Sequence, residues 1–139
     1  MSKRSDPAQG KHNVFILNLD EDEEYNGLFD LIYPDLIESL AAKYRIQRAH
    51  KPDAAQRYLS NSENRPIAIL IVDPGVVQAA NITVLNQVKE YVRGGGIAVF
   101  MASFSSFVRP LDMNGHWKEH WGLDWQFGDY HRTDVHLNR

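Results

Sequence analysis

From Val14 the chain reads Val14-Phe15-Ile16-Leu17-Asn18-Leu19, a short apolar stretch without alternation, and then enters an acidic run. A stretch of that length fits a strand buried on both faces, the kind a parallel sheet holds. Leu28, Leu31, Ile32, Leu36, Ile37, Leu40 and Ala41 recur at helical spacing. Pro34 within them either opens the main helix in its first turn or kinks a longer one. Residues 44–49 alternate like a short strand, Ala54 to Leu59 read as a helix, and residues 60–64 form a polar loop. Pro66 leads into Ile67-Ala68-Ile69-Leu70-Ile71-Val72, the strongest strand signal in the chain, which Asp73-Pro74-Gly75 ends abruptly. Ile82, Leu85, Val88, Tyr91 and Val92 mark an amphipathic helix, with Asn81 or Thr83 as its cap. Gly94-Gly95-Gly96 stops that helix, and Ile97 to Ala102 form the next buried strand.

Strands and helices therefore alternate in the order β-α-β-α-β-α-β. Right-handed crossovers turn that order into an α/β domain with an open parallel β-sheet and helices on both faces. Residues 1–12 carry charge, Pro and Gly without periodicity and read as a disordered leader, leaving 13–139 as a single α/β domain. Residues 103–139 change character, holding all three Trp and four of the six His. In this aromatic-rich C-terminal segment Trp117 to Trp125 suggest a short helix followed by a loop, and Thr133 to Leu137 a late strand. No helix follows to cover that strand. It is then an edge, or pairs with a second subunit, or the chain is truncated at its C-terminal end.

Composition narrows the function classes. A length of 139 residues suits one domain, and 43% hydrophobic with 24% charged residues is ordinary globular usage. The net charge of -3, with both signs interleaved, gives no footprint for nucleic acid or for an anionic membrane surface. The absence of cysteine removes disulfides, thiolate metal sites and cysteine nucleophiles together. The polar start lacks the apolar core of a signal peptide, and no apolar run approaches the ~18 residues of a membrane span, so a cytoplasmic protein is expected.

In open parallel sheets, ligands bind outside the carboxyl ends of the strands. That rule selects Asp20 to Glu24 after the first strand, Asp73-Pro74-Gly75 after the third and Ser103 to Ser106 after the fourth. The candidate ligand-binding residues are Asp20, Asp73, Gly75, Ser103, Ser106 and Arg132, for a small-molecule ligand. Asp20, Asp22 and Asp73 offer carboxylate oxygens of the kind Mg²⁺ takes. This arrangement resembles the phospho-acceptor site of response-regulator receiver domains, although the triple glycine is foreign to them. The bland reading of the acids is a solvated helix start. Ser103 and Ser105, with His131, His116 or His120 as base, are candidates for a catalytic pair. The strained Gly-x-Ser-x-Gly turn is absent, however, and serines after a strand more often cap a turn. His116-Trp117-Lys118-Glu119-His120 places two imidazoles one helical turn apart, enough to share a zinc ion, with Asp112 as a further ligand. A solvated or packing pair of histidines outweighs that reading, so neither a metal nor a cofactor is expected. Trp117, Trp121, Trp125 and Tyr130 form either a cover for the sheet edge or a surface for a homodimer or protein partner.

The stretch Val88-Lys89-Glu90-Tyr91-Val92-Arg93-Gly94-Gly95-Gly96-Ile97-Ala98-Val99-Phe100-Met101-Ala102, together with Val72-Asp73-Pro74-Gly75, resembles the class I glutamine-amidotransferase-like superfamily, including its trehalose-utilisation-type branch. The likeness covers residues 14 to about 106. It implies a flavodoxin-like open sheet with a nucleophile elbow after the fourth strand. Met101 stands where that family carries its elbow cysteine, and a thioether cannot attack an amide as a thiolate does. Glutamine hydrolysis by the cysteine mechanism is excluded. His131 resembles the family's late catalytic histidine, but Thr133 stands where its acidic partner is expected. The expectation is a divergent, non-catalytic domain that binds a ligand or a protein. The alternatives are a hydrolase or metal-dependent enzyme using Asp73, Ser103 and a histidine, and a receiver-like module using Asp20, Asp22 and Asp73.

Overall fold

The structure, a computed structural model, describes residues 11–20, 27–128 and 133–138. Of the expected features, the leader up to residue 10 and the candidates Asp22, Tyr130, His131 and Arg132 lie outside the described residues. By its contacts the chain divides into two compact units, residues 1–108 and 109–139.

In the first unit the three apolar runs and the alternating stretch become four strands: β1 (Asn13–Leu17), β2 (Arg45–Ala49), β3 (Ala68–Ile71) and β4 (Ala98–Phe100). They form one all-parallel sheet in the order β2-β1-β3-β4. β1 is central, with Val14 opposite both Ile46 and Ala68, and Leu17 opposite both Ala49 and Ile71. Every residue of β1 from Val14 on is buried, which is why its sequence shows no alternation.

The pleat divides those residues between two cores. Val14, Ile16, Leu70 and Val72 lie with Phe29 on one face, where Tyr33, Leu36, Ile37 and Leu40 pack against them. Phe29 comes from α1 (Leu28–Ile32), Leu36, Ile37 and Leu40 from α2 (Pro34–Lys43), and Tyr33 from the junction between the two. Phe15 points the other way, stacked on Tyr58 of α3 (Pro52–Ser60) with ring centroids 4.0 Å apart. Helix α4 (Ile82–Arg93), which packs beside α3, buries Val84, Leu85 and Val88. Helices thus cover both faces. The single apolar stripe from Leu28 to Ala41 is two helices because Pro34 has no N–H to continue the first. Tyr33 N closes α1 on Phe29 O at 2.9 Å, and Ile37 N opens α2 on Tyr33 O at 3.1 Å.

Asn81 precedes α4, but its amide makes no cap there; Asn81 Nδ2 donates instead to Gly75 O at 2.8 Å. After β4 comes one turn of helix, α5 (Phe104–Phe107).

The second unit holds α6 (Pro110–Trp121), which begins well before the helix expected from Trp117. Pro110 at its first position and the Arg109–Asp112 ion pair at 2.7 Å set that start. The Trp117 and Trp125 rings meet edge to face at 5.4 Å. The late strand expected at Thr133 to Leu137 is not formed: residues 133–138 carry no regular structure, and Leu137 is 93% exposed. An alternating pattern becomes a strand only where a neighbour supplies the ladder, and among the described residues the sheet has four strands. No helix among the described residues is long and apolar enough to cross a membrane.

Candidate functional site

β1 crosses to β2 on one side, while the chain later steps through β3 to β4 on the other. The switch in strand order therefore falls between β1 and β3, where their carboxyl ends bring Asn18, Leu19 and Asp73 together. Asp73 is 5% exposed and accepts hydrogen bonds from Asn18 Nδ2, from Leu19 N at 3.2 Å and from Gly75 N at 3.0 Å. It ties the two strand ends together while capping the turn Pro74–Val77. Burial pushes its carboxyl above the ordinary carboxylate range, and the Asn18 amide and Gly75 N–H pull against that shift.

Gly75 is fixed by space. A Cβ on it would lie 2.3 Å from the carbonyl carbon of Leu19 and 2.5 Å from Asp20 N. The turn after β3 therefore lies directly on the backbone leaving β1, in the crevice where an open sheet would seat a ligand. Asp73 and Gly75, both expected to bind a ligand, are occupied with holding that crevice shut at its base.

A polar chain continues sideways from Asn18. Asn18 Oδ1 accepts from Arg48 Nη2 at 3.0 Å, and Arg48, near the end of β2, forks onto Asp30 of α1 at 2.7 and 2.9 Å. The guanidinium also lies 5.5 Å above the Phe29 ring. The hydrogen bond from Arg48 holds the Asp30 carboxyl below its usual range. His50 follows β2 at the rim. Burial first, and then the Arg48 charge, lower its pKa, while Asp30 and Asp73 oppose the shift. The chain Asp30–Arg48–Asn18–Asp73 spans the carboxyl ends of β2, β1 and β3. Arg48, Asn18, Asp30 and His50 were absent from the sequence candidates, because the carboxyl-end rule was applied to the loops after strands one, three and four. Applied to the end of strand two, it would have reached Arg48 and His50.

The fourth strand ends in a sharp turn. Met101 N still donates to Ile71 O at 2.9 Å, so Met101 prolongs the β4 ladder. The turn itself is at Ala102, whose φ of 55° makes it the non-glycine residue with left-handed backbone among those described. Ser103 follows, buried, with its N–H on Val72 O at 3.0 Å and its carbonyl accepting from Phe107 N at 3.1 Å. Ser105 and Ser106 are exposed on α5. Asp20 is half-buried beside Leu19.

His116 and His120 lie in the second unit, with ring centroids 5.9 Å apart. His116 is buried, and its Nε2 accepts from Trp121 Nε1 at 3.1 Å. Asp112 is engaged by Arg109. Among the described residues, no three His, Asp or Glu side chains converge to hold a metal ion.

Comparison with protein-family models, with curated proteins and with solved structures finds no match to this chain. Fold and site therefore define it as an open α/β domain with an all-parallel sheet and a polar network across three strand ends.

Proposed function

We propose that this chain is a non-catalytic, amidotransferase-like domain that works as a binding or protein-interaction module. The observation that carries the reading is Ala102. A left-handed backbone at a strand-to-helix turn is costly for a residue with a side chain, and such strain gathers at functional positions. This is the geometry of an elbow that displays a nucleophile, yet the side chain displayed is a methyl and the chain has no cysteine. The strand order β2-β1-β3-β4 also supports the family reading, since it is the opening part of the flavodoxin-like order.

The interaction part rests on what is left uncovered. β4 is the last strand in the sheet order, with Val99 within it 38% exposed and Ile97 just before it 59% exposed. Its sequence, Ile97-Ala98-Val99-Phe100-Met101, has none of the charges or prolines that usually blunt a strand edge. In the second unit Leu111, Trp125, Val135 and Leu137 are exposed as well. The receiver-like alternative is disfavoured, because the Asp73 carboxylate already accepts from Asn18, Leu19 and Gly75.

The test offers the purified protein glutamine and activated esters, and follows its sedimentation with and without Val99→Lys. No turnover is expected, and the lysine is expected to shift the protein toward smaller species. Hydrolysis abolished by Ser103→Ala would overturn the reading in favour of a hydrolase.

A further inference from the structure

The ladder between β3 and β4 uses every second residue along β4. Ile97 O accepts from Ile69 N at 2.8 Å, and Met101 N donates to Ile71 O at 2.9 Å. That alternation turns the amides of the intervening positions, Ala98 among them, toward the outer side of the strand. β4 stands last in the sheet order, so its outer side is a border of the sheet.

The side chains add an apolar face to that border. Val99 lies opposite Leu70 in the register, so Ile97, Val99 and Met101 point to the same side of the sheet as Leu70. This is the side on which Val14, Ile16 and Val72 form a core with Phe29, and Met101 packs against that core. The cover gives out at β4. Leu70 is 9% exposed, whereas Val99 reaches 38% and Ile97 59%.

Charge points to the occupant. A twofold axis sets an edge against its own image, so any charge on a self-pairing strand meets its like. The border at β2 fails this condition, because Arg45 and Arg48 of both copies would crowd into one short seam. At β4 no charged residue stands between Arg93 and Arg109. The sequence is also self-complementary in register. An axis at Val99 lets the outward amides exchange hydrogen bonds on either side of it, and sets β-branched and long apolar side chains against one another.

We propose that two copies of this chain join β4 to β4, antiparallel, about a twofold axis at Val99, and so form one continuous sheet. Val99 meets the partner's Val99, and Ile97 meets the partner's Met101. The proposal rests on the interaction reading above and names the partner as a second copy. The seam is short beside the roughly 1,200–2,000 Å² of a standard interface, so the dimer is expected to dissociate in the micromolar range.

The chain has no cysteine, so an introduced one reports its neighbour without interference. At the axis the two copies of residue 99 stand about 4.5 Å apart at Cα, within the ~4.4–6.8 Å that a disulfide spans. The full chain carrying Val99→Cys, treated with oxidised glutathione at micromolar protein concentration, is expected to become a covalent dimer. Leu31→Cys, 77% exposed and remote from the seam, sets the rate of chance collision. Ile97→Cys alone should stay at that rate, since four residues along the strand put it about 13 Å from its image. Mixed with Met101→Cys, it should give the mixed dimer. Ala98→Pro removes an outward N–H and leaves the ladder to β3 intact, and should raise the dissociation constant measured by sedimentation about tenfold. An unchanged far-ultraviolet circular dichroism spectrum would show that this loss is not one of folding. Three results would each overturn the dimer: one monomeric species at every concentration, Val99→Cys no faster than Leu31→Cys, or Ile97→Cys alone as fast as Val99→Cys. Such a failure leaves the non-catalytic reading standing, whereas turnover abolished by Ser103→Ala removes that reading, and the two assays share no variant.

Discussion

Replacing Gly75 with alanine sets a methyl 2.3 Å from the carbonyl carbon of Leu19, 2.5 Å from Asp20 N and 2.6 Å from Leu19 O. Ordinary contact begins at 3.4 Å, so the turn after β3 and the end of β1 must part by about 1 Å. All three obstacles are backbone atoms, so no rotamer change relieves them. Overpacking a core in this way costs ~1–3 kcal/mol. The parting also stretches the Leu19 N–H bond to Asp73, already 3.2 Å long, and pulls the Asn18 amide from the same carboxylate. Leaving a buried acceptor short of donors adds ~1–3 kcal/mol. Together these come to roughly 2–6 kcal/mol, against a total stability of about 5–15 kcal/mol for a domain of this kind. In urea unfolding followed by far-ultraviolet circular dichroism, a slope of about 1.5 kcal/mol/M turns that loss into a midpoint lower by roughly 1.3–4 M. A loss below ~1 kcal/mol at unchanged slope would refute the reasoning, because it would mean that β1 and β3 part freely at this end.

Three further expectations follow from the same structure. Ala102→Gly removes the cost of a side chain at φ 55° and should raise stability by about 1 kcal/mol, whereas the β-branched Ala102→Val should lower it; thermal melts decide. Phe15→Ala empties a fully buried site stacked on Tyr58, and should cost ~3–5 kcal/mol in the same urea assay. His50 should titrate below its ordinary 6.5 in an NMR pH series, and Arg48→Gln should move it upward by removing a neighbouring positive charge. Its folded pKa is the depressed one, so the unfolded chain takes up the proton first. The His50 contribution to stability is therefore present above 6.5 and lost as pH falls toward the folded value; His50→Gln should flatten that slope.

The strands were legible because burial on both faces leaves an uninterrupted apolar run, and β1 and β3 show it with every residue from Val14 and Ile69 on buried. Pro34 was legible as a boundary for a covalent reason, its missing N–H. Thr133 to Leu137 misled because alternation records only a side-chain pattern, and says nothing of whether a partner strand is at hand. The site divided in the same way. Asp73 was singled out by its place after a strand, yet the network that continues from it through Asn18 to Arg48 and Asp30 draws on three separate elements. Asn18 looked like part of an apolar run, and Arg48 like one more residue of a short alternating strand. Only the register of β1 against β2, Ile16 with Arg48 and Leu17 with Ala49, brings those two side chains to one end of the sheet. The left-handed backbone at Ala102 carries no signal in the sequence, since alanine has no preference for it.

The central position of β1 has a consequence for how the chain is made. Its two neighbours lie far along the sequence, β2 ending at Ala49 and β3 at Ile71. Pairings across such distances close large loops and form late. At a synthesis rate of about 5–20 residues per second, Leu17 waits roughly 3–11 s for Ile71 to be joined to the growing chain. Through that interval Val14-Phe15-Ile16-Leu17 is an apolar, strand-forming stretch without its second partner, on chains being made side by side. The acids Asp20 to Glu24 follow it immediately, and like charge beside such a stretch keeps copies apart. The acidic run that invites a reading as a metal site thus has work to do before the sheet exists.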